Sequence, residues 1–153
     1  TQRSLEKMFS NRKLTAYQDK TSAKEEMETA REVCLDLNHC VKGVLESVSK
    51  GQSVDVEKVK KAVSPMVDSV LRNPDACMWL ARLKNKDSYT YKHSMGASIW
   101  AVSLGRQIGL PKIDLMLLAT GTLLCDIGKL KLPEGLLTKK EKHSKNIWDL
   151  NSI

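Results

Sequence analysis

With 153 residues and 41% hydrophobic content, the chain can bury the core of one compact domain, which sets aside a disordered segment and makes one domain the default. A formal net charge of +7 favours an anionic partner, but the lysines are spread along helix faces and gathered at Lys139, Lys140, Lys142 and Lys145. That reads as a solvated basic face, so no DNA partner is expected.

Stretches of about eighteen apolar residues are absent, and Ile113 to Leu124, the most hydrophobic segment, is interrupted by Asp114, Thr120, Gly121 and Thr122, so no membrane span is expected. Residues 1–20 lack the apolar middle of a secretory signal, and a cytoplasmic setting is the expectation. Cys34, Cys40, Cys77 and Cys125 fall in helical patterns without the paired spacings of a zinc ribbon or a disulfide scaffold, and are read as reduced thiols.

In chain order, residues 1–21 read as a linker or arm that needs something to pack against. Ser22 and Glu25 have the spacing of a capping box, and Glu26 and Glu28 suit the positive end of a helix. Ala30, Val33, Leu37, Val41, Val44 and Val48 then form one stripe of a long helix that Gly51 stops. Ser53 or Asp55 starts a second helix, with Val56, Val59, Val63, Met66, Val67 and Val70 inward and Asn73-Pro74 at its end; Pro65 predicts a kink or break near Ser64. A third, short helix spans about Pro74 to Leu83, with Trp79 and Leu80 for packing, and Lys84 to Asp87 is a loop.

A fourth helix runs from about Tyr89 to Ile108, closed by Gly109 and Pro111, with His93, Gly96, Ala97, Trp100 and Leu104 on one side. Trp79 and Trp100 are assigned to core packing. The fifth, roughly Lys112 to Cys125, is nearly all apolar and is expected in the middle of a bundle. Asp126 to Pro133 reads as irregular backbone, and no segment alternates as a strand does. The fold class is therefore all-α, a bundle of about five main helices over residues 22–141, with a polar tail at 142–153.

Two segments carry chemistry: Tyr89-Thr-Tyr-Lys-His93-Ser94 and Leu123-Leu-Cys125-Asp126-Ile-Gly-Lys129. One helix offers an imidazole near its start and another a carboxylate near its end, so His93 and Asp126 can converge on a cation, and nitrogen with oxygen suits iron, manganese or zinc better than calcium. Lys129, about one turn beyond Asp126, can face a phosphate. Taken singly, each has a structural alternative: a hydrogen-bonded helix histidine, a helix-end aspartate, a solvated lysine, and for Cys125 a small buried apolar residue.

Together the segments resemble the HD-GYP subgroup of HD-domain phosphohydrolases, over about Glu25 to Lys140. The resemblance implies an HD-domain-like bundle that holds two or three divalent metals, usually iron or manganese, and activates water to hydrolyse cyclic di-GMP or a related cyclic dinucleotide. It implies that His93 is the first metal-ligand histidine, that Asp126 is the carboxylate bridging two metals, and that Lys129 helps hold substrate phosphate. Catalysis would then rest on Asp126 and Lys129.

The sequence departs from that pattern in two places. Cys125 occupies the histidine position of the His-Asp doublet, and a thiolate suits zinc better than the iron or manganese of such a site. Further histidines, an aspartate and a Gly-Tyr-Pro loop find no match before Ile153, His143 being the one later histidine. The expectation is a partial domain whose phosphodiesterase activity is impaired, or else a non-catalytic module that binds a cyclic dinucleotide or a partner protein. Uncovered apolar faces such as Ile113 to Leu124 would also favour a homo-oligomer by exchange of helices.

Overall fold

The structure, a computed structural model, describes residues 14–82 and 89–131. Helix α1 is Ala23–Ser49. Ser22 holds extended backbone, its hydroxyl accepts from the Glu25 N–H at 3.2 Å, and the Glu25 carboxylate accepts from the Ser22 N–H at 2.8 Å. The capping box thus closes as the spacing requires. Ser22→Ala is expected to cost about 1 kcal/mol, measurable as a lower urea midpoint with unchanged slope.

Ala30, Val33, Leu37, Val41 and Val48 form the buried stripe of α1, and Val44 is partly buried beside it. The helix ends where Gly51 turns into the left-handed region at φ 72, allowing the Gln52 N–H to reach the Ser47 carbonyl at 2.9 Å. Such a φ strains any residue with a Cβ.

Helix α2, Val56–Arg72, starts at Asp55, whose carboxylate accepts from the Lys58 N–H at 3.0 Å. Of the kink or break expected near Ser64, the break does not occur: α2 continues through Pro65. Proline removes one intrahelical bond, but Pro65 is on the exposed side, where water can serve the freed carbonyl. On the opposite side Val63, Met66, Val67 and Val70 are fully buried and hold the helix in place.

Asn73 separates α2 from α3, Pro74–Arg82: its Oδ1 accepts from the Asp75 N–H at 3.0 Å and its Nδ2 donates to the Thr21 carbonyl at 2.9 Å. The buried residues of α3 are Ala76 and Cys77. Trp79 is 49% exposed and Trp100 43%, so neither tryptophan is a core residue. Trp100 instead lies under the Arg82 guanidinium, 5.2 Å from its ring centre, a cation–π contact at the surface. The loop expected at Lys84 to Asp87 lies outside the described residues.

Helix α4 is Tyr89–Gln107 and α5 is Lys112–Leu124. Of the side of α4 that holds His93, Gly96, Ala97, Trp100 and Leu104, Trp100 and Leu104 are exposed, while Ser94, Ser98, Ile99, Val102 and Arg106 face inward. Serines at inner positions mislead a pattern that counts apolar side chains. Here Ser98 Oγ donates to the Ala119 carbonyl of α5 and Ser103 Oγ to the Ile99 carbonyl of its own helix.

Helix α5 is not in the middle of the bundle. It buries Leu115, Ala119, Thr120 and Leu123 and leaves Ile113 69% and Leu117 59% exposed. After it, Ile127–Lys131 forms a short 3-10 helix where irregular backbone was expected, and the rest of that stretch, with the 142–153 tail, lies outside the described residues.

The described part of the arm, residues 14–21, is laid against the bundle. The Thr15 N–H donates to the Gly109 carbonyl, Tyr17 Oη to the Leu110 carbonyl, and the Lys20 N–H to the Arg72 carbonyl. Arg106 reaches Asp19 at 2.6 Å. Gly109 sits at φ 84 with the Thr15 carbonyl oxygen 2.9 Å from where a Cβ would stand, so turn and arm both require glycine there. No strand occurs among the described residues, the architecture is all-α, and no described helix is long and apolar enough to cross a membrane.

Candidate functional site

Helices α4 and α5 are joined by the short Gly109 to Pro111 turn, which makes them antiparallel neighbours. Close packing fixes their register: a Cβ added at Gly105 would come within 2.6 Å of the Leu115 side chain. This pairing returns the end of α5 to the first turns of α4, the two places where the sequence put its imidazole and its carboxylate.

His93 Nε2 lies 3.3 Å from Asp126 Oδ2, and Lys129 Nζ lies 2.7 Å from Asp126 Oδ1. Each carboxylate oxygen thus faces a different nitrogen. The Asp126 side chain is only 19% exposed, against 54% for His93 and 48% for Lys129. The 3-10 turn supplies the second pairing, because the Lys129 N–H donates to the Asp126 carbonyl at 3.0 Å and brings the lysine back over the carboxylate.

Behind Asp126, Val41, Val44 and Leu45 of α1, Ser94 of α4, and Leu123, Leu124 and Ile127 line a narrow cleft of about 10 Å³, room for about one water. Its walls are mostly apolar, which strengthens electrostatic interactions at the carboxylate. Sequence reasoning missed this wall, since Val41 and Val44 were read only as packing stripe, and nothing local in α1 signals what passes beside it. Ser94, 6% exposed, is in sequence only the neighbour of His93, with no local sign that it is buried.

The spacing of His93 and Asp126 fits a divalent metal. Two ligands held roughly 2.1 Å from one metal at near right angles stand roughly 3 Å apart, so the 3.3 Å separation suits adjacent positions on a single ion. The nitrogen and oxygen donors suit iron, manganese or zinc. Among the described residues no third His, Cys, Asp or Glu joins them, so the remaining coordination would fall to water or to residues outside those described.

Cys125 is exposed rather than buried, and it does not gather with the pair. It caps α5 in right-handed helical conformation, and its thiol donates back to the Thr122 carbonyl at 3.1 Å. One residue of helix turns its side chain away from that of Asp126. His143 lies outside the described residues.

Over 123 residues, 80% of this chain, the sequence is 32% identical to the cyclic di-GMP phosphodiesterase PA4108 of Pseudomonas aeruginosa. The matched region is 30% of that protein, so the chain spans less than a third of the length of the curated relative it matches. No family model matches the chain, and no solved structure matches it.

Proposed function

We propose that this chain carries part of an HD-GYP-type phosphohydrolase domain acting in cyclic di-GMP signalling, with a divalent metal, iron or manganese, as its cofactor. The observation that carries the reading is the juxtaposition at 3.3 Å of His93, from α4, and Asp126, from the turn after α5, with Lys129 on the other oxygen of the same carboxylate. The similarity to a cyclic di-GMP phosphodiesterase supports the choice of substrate class.

In this reading His93 and Asp126 would hold the metal, the imidazole offering a nitrogen and the carboxylate an oxygen. A bound metal would supply Lewis-acid chemistry, lowering the pKa of a water and drawing charge from the phosphorus centre. Lys129 offers a mobile ammonium to a phosphate oxygen. Val41, Val44, Leu45 and Leu123 give the carboxylate a mostly apolar wall with room for about one water. With only two donors among the described residues, and Cys125 bonded back to its own helix, a second reading has support: a module that binds the cyclic dinucleotide without cleaving it.

Incubation with Mn²⁺ and cyclic di-GMP, followed by chromatography, tests both. Appearance of the linear dinucleotide supports the phosphodiesterase. Saturable binding without product supports the receptor, and neither binding nor product at millimolar nucleotide rejects both.

A further inference from the structure

We propose that Cys34 and Cys77 form a buried dithiol that hydrogen peroxide closes to a disulfide between α1 and α3, with Ser69 and Glu26 as its proton relay. The inference is independent of the metal reading and uses none of its residues. Cys34 is 8% exposed and Cys77 fully buried, and both lie in the core where α1 packs on α3. The two thiols meet directly: Cys34 hydrogen-bonds Cys77, and each is the largest influence on the other's acidity.

A pair of thiols in an apolar core is ordinarily inert. This pair stands at the end of a hydrogen-bonded file. Ser69 Oγ lies 3.3 Å from Cys77 Sγ and donates to Glu26 Oε1 at 2.7 Å, and Arg72 Nη2 donates to the same carboxylate oxygen. A hydroxyl has one proton, which Ser69 gives to the carboxylate, so its oxygen accepts from the Cys77 thiol. When the Cys77 proton moves to Ser69 and the Ser69 proton to Glu26, negative charge passes from carboxylate to sulfur while the buried cluster keeps its total charge. Chiefly the bond from Cys34, with help from Ser69 and the Arg72 cation, lowers the Cys77 thiol against burial, while the same bond and burial raise Cys34.

The Cys77 thiolate then attacks a peroxide oxygen: the S–O bond forms, the O–O bond breaks, and hydroxide leaves as water with the proton held on Glu26. Next the Cys34 sulfur attacks the Cys77 sulfur, the S–S bond forms as the S–O bond breaks, and the second hydroxide leaves with the Cys34 proton. The two sulfurs give up two electrons, and one peroxide becomes two waters. Entry needs α3 to part from α1. Helix α3 has nine residues and buries only Ala76 and Cys77, so a local opening costs far less than unfolding.

The test uses the whole chain with Cys40→Ser and Cys125→Ser, which leaves Cys34 and Cys77 as its thiols. Excess hydrogen peroxide, then alkylation in denaturant and tryptic mapping, should join peptide 32–42 to peptide 73–82 through a bond that dithiothreitol cleaves. Adding Cys34→Ser should leave Cys77 as a sulfenic acid that dimedone traps. Ser69→Ala should slow disulfide formation about a hundredfold, the lower end of what a positioned proton-transfer group contributes. A purely structural role for Ser69 predicts the opposite sign, because a loosened core admits peroxide faster.

Two alkylatable thiols after peroxide treatment of the folded chain, or a bond that forms only in urea, overturns the inference. So does a Ser69→Ala rate equal to or above that of its parent, with helical circular dichroism unchanged. The peptide map and the dimedone adduct need no change at Ser69, so they decide the pairing whatever that variant does to folding.

Discussion

With Asp126 as the proposed metal ligand, Asp126→Asn is expected to lower the Mn²⁺ affinity of the chain by roughly a hundredfold or more, since loss even of an outer partner of a metal ligand costs about ten- to a hundredfold and this change removes the charge of the proposed ligand itself. The amide keeps one oxygen, but its nitrogen is a donor that cannot face either a metal or the Lys129 ammonium. His93 would be left as the only ionisable donor of the pair among the described residues. Folding should hardly respond. The Lys129 pair is half exposed, worth up to about 1 kcal/mol, and the backbone bond from Lys129 to residue 126 does not depend on the side chain. Calorimetric titration of both forms, with circular dichroism to check helix content, decides the matter. Affinities within threefold of each other would remove Asp126 from the metal centre.

Sequence reached some of this structure because some of its signals are local. Ser22 with Glu25, Asp55 ahead of Val56, Asn73-Pro74, and Gly109 before Pro111 each act within one turn of backbone, and each sits at the helix boundary it predicted. Orientation was harder. On α4 the inner face is rich in serines whose hydroxyls satisfy carbonyls, so apolar counting does not single it out, and Trp100, assigned to core packing, lies on the outer face with Leu104.

Similarly, α5 is apolar all round, and nothing in its own residues says that Ile113 and Leu117 lack a neighbour. The proximity of His93 and Asp126 was readable because a short turn makes α4 and α5 antiparallel, so the start of one meets the end of the other. The Cys125 rotamer was not, because which way a thiol turns at a helix end depends on a carbonyl three residues earlier.

The partner of Glu26 was beyond any local rule as well. Glu26 suits the start of α1, yet it is 3% exposed and accepts from Arg72 Nε at 2.8 Å and Arg72 Nη2 at 2.7 Å, with Ser69 Oγ donating at 2.7 Å. These bonds tie α1 to the end of α2. Arg72→Ala is therefore expected to cost about 2–3 kcal/mol, below the 3–5 typical of a broken buried pair because the arginine is 36% exposed.

The sign of the pH dependence follows from the carboxyl. Hydrogen bonds from Arg72 hold Glu26 below its ordinary value of 4.5, against the opposing effect of burial. In the wild type this pair stabilises the fold above that value, and the contribution is lost as pH falls through the lowered folded value. Without Arg72, its lowering effect is lost and burial is opposed only by the Ser69 and Thr21 hydroxyls, so the carboxyl titrates higher than in the wild type and its protonation relieves a buried charge that has lost its cation. The gap between wild type and Arg72→Ala should therefore be widest near pH 7 and narrow towards pH 4.

Urea unfolding across that range measures the gap directly. The double replacement Glu26→Leu with Arg72→Met should recover most of the loss, because an apolar pair of similar volume avoids both desolvation costs. A gap that stayed constant from pH 7 to pH 4 would show that Arg72 supports the helix junction through packing of its stem rather than through its charge.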